Sequence, residues 1–145
     1  MKRFALFLLS LLFGVLFLTG CGKVQPESHL RQVVDDTGQS VSLPHHPSRI
    51  VSLTYGTDEI LLGLVDISRV TALSKYAGNR DISFVTEKEA AAVGRKADLN
   101  AESIMAMKPD LVIASTAVSP QLVSLLRQSV VPVYLSLVSS NWDEM

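Results

Sequence analysis

Residues Asn100–Leu137 read NAESIMAMKPDLVIASTAVSPQLVSLLRQSVVPVYLSL, and this stretch decides the fold. Asn100 can cap a helix, because its side-chain oxygen can accept a free N–H of the first turn. Glu102 in that turn suits the positive end of the helix dipole. Ile104, Met105 and Met107 supply the apolar side, and Lys108-Pro109 ends the helix, since the residue before proline is pushed out of the helical region. Asp110–Ala114 (DLVIA) is a continuous apolar run, the pattern of a strand buried on both faces in a parallel sheet. Ser119 followed by Pro120 is an N-cap with proline at the first helical position, opening a helix through Gln128. Val131–Leu137 is the next strand. Strand, helix and strand with short connections require a parallel pairing through a right-handed crossover.

The same alternation extends toward the N-terminus. Arg49–Leu53 reads as a buried strand. Thr57 is placed to cap the following helix, with Asp58 and Glu59 in its first turn and Ile60, Leu61 and Leu64 as its buried face. Arg69–Leu73 is a further strand, followed by an irregular stretch to about Ala92 in which Glu87–Ala91 is helical. Upstream, Gln32–Val34 and Ser40–Leu43 flank Asp36-Thr37-Gly38-Gln39, a hairpin whose glycine supplies positive φ, and Pro44 and Pro47 end its ladder. The class is therefore α/β with a parallel sheet. Ligands in such sheets bind outside the carboxyl ends of the strands, which directs attention to Thr54–Thr57, Ser74–Gly78 and Ser115–Ser119.

The N-terminus is an address. Lys2 and Arg3 precede Phe4–Leu18, 15 residues interrupted only by Ser10 and Gly14. A spanning helix needs about 20 apolar residues, so a signal peptide of residues 1–20 is the better reading. Leu18-Thr19-Gly20-Cys21 resembles the bacterial lipobox, which makes Cys21, the sole cysteine, the expected lipid attachment point. Residues 21–30 are polar, include Pro26 and read as a tether to a domain spanning 31–145.

The 145 residues carry 13 basic and 14 acidic side chains, a formal charge of −1 that offers no footprint for nucleic acid. No phosphate-binding glycine loop, nucleophile elbow or zinc-helix motif occurs, so no cofactor is expected and an enzyme is disfavoured. Of the three histidines, His29 falls in the tether, and His45-His46 stand between prolines as solvated loop residues rather than metal ligands. Asp35-Asp36 are explained by turn chemistry without catalysis.

Several blocks in order resemble one family. They are the D-x-x-G hairpin (Asp35, Gly38), Leu43–Leu53 (LPHHPSRIVSL), Thr57–Leu61 (TDEIL), Val93-Gly94, Asn100–Ile113 and Val131-Pro132-Val133. The sequence is similar to the class III periplasmic substrate-binding proteins of bacterial ABC importers for iron-siderophores, haem and vitamin B12. The resemblance implies two α/β lobes joined by a long helix, with ligand in the cleft between them. Only the N-terminal lobe fits within this sequence; the second lobe is missing, as in a fragment or truncated frame. It further implies permease subunits as partners, an iron chelate or corrinoid as ligand, and a lipid-anchored place on the cell membrane facing the periplasm or exterior.

By that resemblance Glu102 matches the glutamate that docks to an arginine of the permease, although the helix dipole alone would also explain it. Tyr76 falls where relatives place an aromatic against the ligand. Tyr55 stands where the family often has proline and adds a second ring. Arg95 and Lys96 follow Val93-Gly94, where siderophore binders carry arginine and B12 binders an aromatic; the match is to neither pattern, and the ligand class stays open. A lipid-anchored partner-binding module and a surface enzyme of the same fold class are the alternatives.

Overall fold

The structure, a computed structural model, describes residues 30–138. The signal peptide, Cys21, His29 and all of the tether but Leu30 lie outside the described residues. Two strands, β1 (Leu30–Val34) and β2 (Ser40–Pro44), form an antiparallel hairpin, and β1 takes in Leu30, the last residue of the expected tether. Gly38 makes the turn at φ 83°. There follow β3 (Ile50–Ser52), α1 (Tyr55–Leu64), β4 (Val70–Ser74), α2 (Glu87–Val93), β5 (Lys96–Ala97), α3 (Ala101–Ala106), β6 (Leu111–Ser115), α4 (Pro120–Gln128) and β7 (Val133–Ser136). The five later strands form one sheet in the order β5-β4-β3-β6-β7, parallel at every pairing. The strand–helix alternation read from the sequence is therefore present. Among the described residues no helix is long and apolar enough to cross a membrane.

Two of the caps that the sequence marks, Asn100 and Ser119, are formed. Asn100 accepts from the Ser103 amide at 3.0 Å, and Ser119 accepts from the Leu122 amide at 3.3 Å, with Pro120 opening α4. Lys108 leaves the helical region at φ 49° ahead of Pro109. The short β5 was not expected, because two residues carry no periodicity.

Helices cover the sheet's two faces unequally. On one face α3 and α4 drive Ile104, Met107, Leu122, Val123 and Leu126 onto Val51, Ala72, Val112, Ala114 and Val133. On the other, α1 and α2 pack Leu61 and Ala90 against Ile50, Val70 and Leu73. On that second face β6 lies at the margin of the helix layer, with Leu111 and Ile113 packed on the cluster that contains Leu61. The expectation that β6 is buried on both faces is corrected there: Leu111 and Ile113 are only half-buried.

Helix α1 corrects the sequence reading in two further ways. It begins at Tyr55 with Thr54 as N-cap, so Thr57 is the third helical residue rather than the cap. Its inward side is Thr57, Asp58 and Leu61, while Ile60 and Leu64 are 62% and 77% exposed. The cause is polar: Thr57 and Asp58 both find buried partners on the strands, and satisfying them rotates Ile60 and Leu64 outward.

Candidate functional site

The carboxyl ends of β3 and β4 meet α1 in a buried polar network. The Ser52 and Thr57 hydroxyls lie 2.7 Å apart, and Thr57 also meets the Thr54 hydroxyl at 2.8 Å. Asp58, fully buried, accepts from the Ser74 amide at 3.0 Å and the Ser74 hydroxyl at 2.5 Å. Burial pushes the Asp58 carboxyl up from its ordinary range, against the hydroxyls of Ser52 and Ser74 that favour the charged form. The Ser74 hydroxyl in turn accepts from the Tyr76 amide at 3.3 Å. Asp58 thereby fixes the start of the β4–α2 loop.

Glu59 fixes its far end. One carboxylate oxygen accepts from the Phe84 amide at 2.9 Å and the Ser83 hydroxyl at 3.2 Å. Two consecutive acids of α1 thus hold both ends of a loop whose Phe84 ring is 90% exposed. Gly78 within the loop takes φ 80°, and a Cβ there would come within 3.2 Å of Ala90 Cβ, so both conformation and space call for glycine.

Two expected site residues are brought together on this scaffold. Tyr55, 49% exposed, and Tyr76 meet edge-to-face, with centroids 6.4 Å apart and planes at 83°. The Lys75 ammonium lies 5.0 Å from the Tyr76 centroid, a cation–π contact that sequence reasoning missed. Lys96 belongs to edge strand β5, and its ammonium reaches the Lys75 carbonyl at 3.5 Å. Arg95 is exposed and lines, with Lys96, Glu87 and Gly78, a separate shallow hollow of about 440 Å³. Lys96 therefore reaches the backbone beside Tyr76, whereas Arg95 lines the separate hollow. Glu102 is exposed in the first turn of α3 and stands apart from both rings.

The adjacent rings offer apolar faces and hydroxyls, and the lysines offer mobile cations. Such a surface can stack on a planar or catecholic group and attract negative charge. His45 and His46 are both exposed, and among the described residues no cluster of three or more His, Cys, Asp or Glu is placed to hold a metal ion.

No family model matches the chain. It is similar to the probable siderophore-binding lipoprotein YfiY of Bacillus subtilis, at 28% identity over 99% of this chain and 47% of that protein. The chain thus spans about half the length of this curated relative. Among solved structures, the heme-binding protein HmuT matches with TM-score 0.55 and 23% identity, over 75% of this chain and 35% of that one. The periplasmic catecholate-siderophore binding protein VctP from Vibrio cholerae matches with TM-score 0.55 and 22% identity, over 73% and 37%. At these identities the two structures speak to fold alone, and both are covered over about a third of their length, the share of a single lobe.

Proposed function

We propose that this chain, whose fold and similarities are those of the N-terminal lobe of a class III periplasmic substrate-binding protein, serves a bacterial ABC importer as its substrate-binding component. The observation that carries the reading is the Tyr55–Tyr76 pair with Lys75 beside it, held at the strand ends by Asp58 and Glu59. The ligand is a ferric siderophore, haem or cobalamin. The cations of Lys75 and Lys96, with Arg95 in the neighbouring hollow beside Lys96, favour the anionic ferric siderophore, and the curated relative's name agrees. One lobe supplies one wall of a cleft, so ligand binding by this chain alone is weak, because a ligand site gains its affinity by enclosing most of the ligand. Cys21 carries the lipid that holds the protein on the membrane, facing the periplasm or exterior, and Glu102 docks to the permease. The relative's description as a binding lipoprotein supports binding over catalysis.

Titrating the full chain with a ferric tris-catecholate, haemin and cyanocobalamin tests the site. The expected result is weak, saturable binding with the catecholate preferred, lost in Tyr76→Ala. A preference that Tyr76→Ala leaves intact would overturn the assignment. Fatty-acid labelling that persists in Cys21→Ser would overturn the anchor.

A further inference from the structure

Between α1 and the hairpin runs an apolar groove of about 430 Å³. Ile60 and Leu64 line it from α1, one helical turn apart, and Leu111, Ile113 and Tyr134 line it from the sheet. The Tyr134 hydroxyl already donates to Asp36 at 2.8 Å, which leaves the ring to the groove. Two cations complete the lining. Arg31 lies opposite Leu43 in the hairpin, and Arg69 donates through Nε to the Pro47 carbonyl at 2.7 Å, while Leu43 and Pro47 are themselves lining residues. Both arginines therefore stand beside the Leu43–Pro47 segment, at the end where β3 and β4 begin. Arg69 also favours the charged form of nearby Asp66, whereas Arg31 makes no ion pair among the described residues.

We propose that this groove binds a free fatty acid, with the alkyl chain along Ile60, Leu64, Ile113 and the Tyr134 ring and the carboxylate on Arg31 and Arg69. An apolar trough with cations gathered at one end complements an amphiphile with a single anionic head. The guanidinium fork suits a carboxylate, which it can bind through two parallel hydrogen bonds. The volume falls in the range of small-molecule pockets, about 300–1,000 Å³. A helix, about 10–12 Å across with its side chains, would overfill it within one or two turns, so a partner's helix fits less well than a single chain. Neither Tyr55 nor Tyr76 lines the groove, and the inference is independent of the ligand reading.

Calorimetric titration of the full chain with octanoate, decanoate and dodecanoate, each below its micellar concentration, tests the groove. The expected result is saturable one-to-one binding whose affinity rises up to about fourfold per added methylene. Decanoate should bind about tenfold more tightly than decanol. Arg31→Met, at an exposed strand position, should bring decanoate down toward decanol. The double variant Ile60→Gln with Leu64→Gln, exposed sites both and shown folded by circular dichroism, should bind decanoate and decanol about tenfold more weakly. No saturable binding in the parent chain would overturn the inference. So would an affinity that the double variant leaves unchanged, which would put the alkyl chain elsewhere on the molecule. Decanoate and decanol bound alike would overturn the carboxylate assignment. A parent chain that is dimeric, binds no alkanoate and becomes monomeric in the double variant would make a second copy the occupant instead.

Discussion

Two buried aspartates sit in two regions of this lobe and behave in opposite ways. At the hairpin turn Asp35 accepts from the Thr37 hydroxyl at 2.6 Å and the Gln39 amide at 2.9 Å, and it pairs with Arg127 of α4 at 2.6 Å. Burial alone would raise its pKa, but the hydrogen bonds from Thr37, Gln39 and Arg127 outweigh it and hold the carboxyl below its ordinary range. At the carboxyl edge Asp58 makes no ion pair among the described residues, the Ser52 and Ser74 hydroxyls and the Ser74 amide favour its charged form, and burial prevails. The hairpin is thus a charge lock: Arg127 also donates to Gln39 and to the Val133 carbonyl, while Asp36 takes the Tyr134 hydroxyl at 2.8 Å and binds the turn to β7. The Asp58 region is a hydrogen-bond clamp that ties α1 to the end of β4. Whether burial prevails depends on how many hydrogen bonds the carboxylate accepts, those of Thr37 and Gln39 before that of Arg127.

Removing the cation should break the comparison most severely. Arg127→Met leaves the Asp35 charge unpaired and is expected to cost about 2–3 kcal/mol, read as a fall in urea midpoint at unchanged slope. A midpoint equal to the parent's would show that the lock contributes nothing. Next comes Asp58→Ala, which strands the Ser74 amide and hydroxyl and should cost roughly 1–2 kcal/mol. Asp58→Asn keeps an acceptor for Ser74 and breaks no ion pair, so it should cost clearly less than Asp35→Asn, which loses the pair with Arg127. Equal losses for the two asparagine variants would erase the distinction drawn here.

The pH dependence sharpens the same contrast through its sign. Asp35, with folded pKa below the unfolded value, gives stability that is present above the unfolded pKa and lost as pH falls through the folded one. Asp58, with folded pKa above the unfolded value, binds more protons folded, so its contribution falls as pH rises from the unfolded pKa through the folded one. The two partly cancel above about pH 4 and separate in variants. Melting temperature followed from about pH 3 to 6 should rise more steeply with pH in Asp58→Asn than in the parent, and less steeply in Asp35→Asn.

The smallest stability effect belongs to the exposed carboxylate. Glu102→Lys should barely move the melting temperature and leave ligand affinity unchanged, yet impair uptake in a two-lobed, transport-competent form of the protein. Normal uptake with only a lowered melting temperature would reduce Glu102 to a helix-dipole partner.

Much of the architecture was legible because its determinants are local. Asn100 and Ser119 cap helices by accepting from amides three residues away, and the apolar run at β6 and the glycine turn at Gly38 depend on near neighbours. The site was legible in part: Tyr55 and Tyr76 were both singled out, each from its loop, but their edge-to-face contact joins residues on opposite sides of β4. Lys75 passed unnoticed because one lysine in a loop carries no pattern. The error at Thr57 shows the limit most clearly, since Thr54 and Thr57 are both acceptable caps and only the partners at Ser52 and Ser74 select the register of α1.

By itself the sequence determined the order and kind of most elements and the parallel sheet, since periodicity, caps and turn residues act within a few positions. Tertiary structure alone decided what those elements present. It joined Asp35 to Arg127 across 92 positions and turned Asp58 inward at the cost of exposing Ile60 and Leu64. It also left Leu111 and Ile113 of β6 only half-buried on one face. Contacts of that sequence separation depend on how the whole sheet packs, and a buried polar group must find its partner there even when an apolar face is left outward.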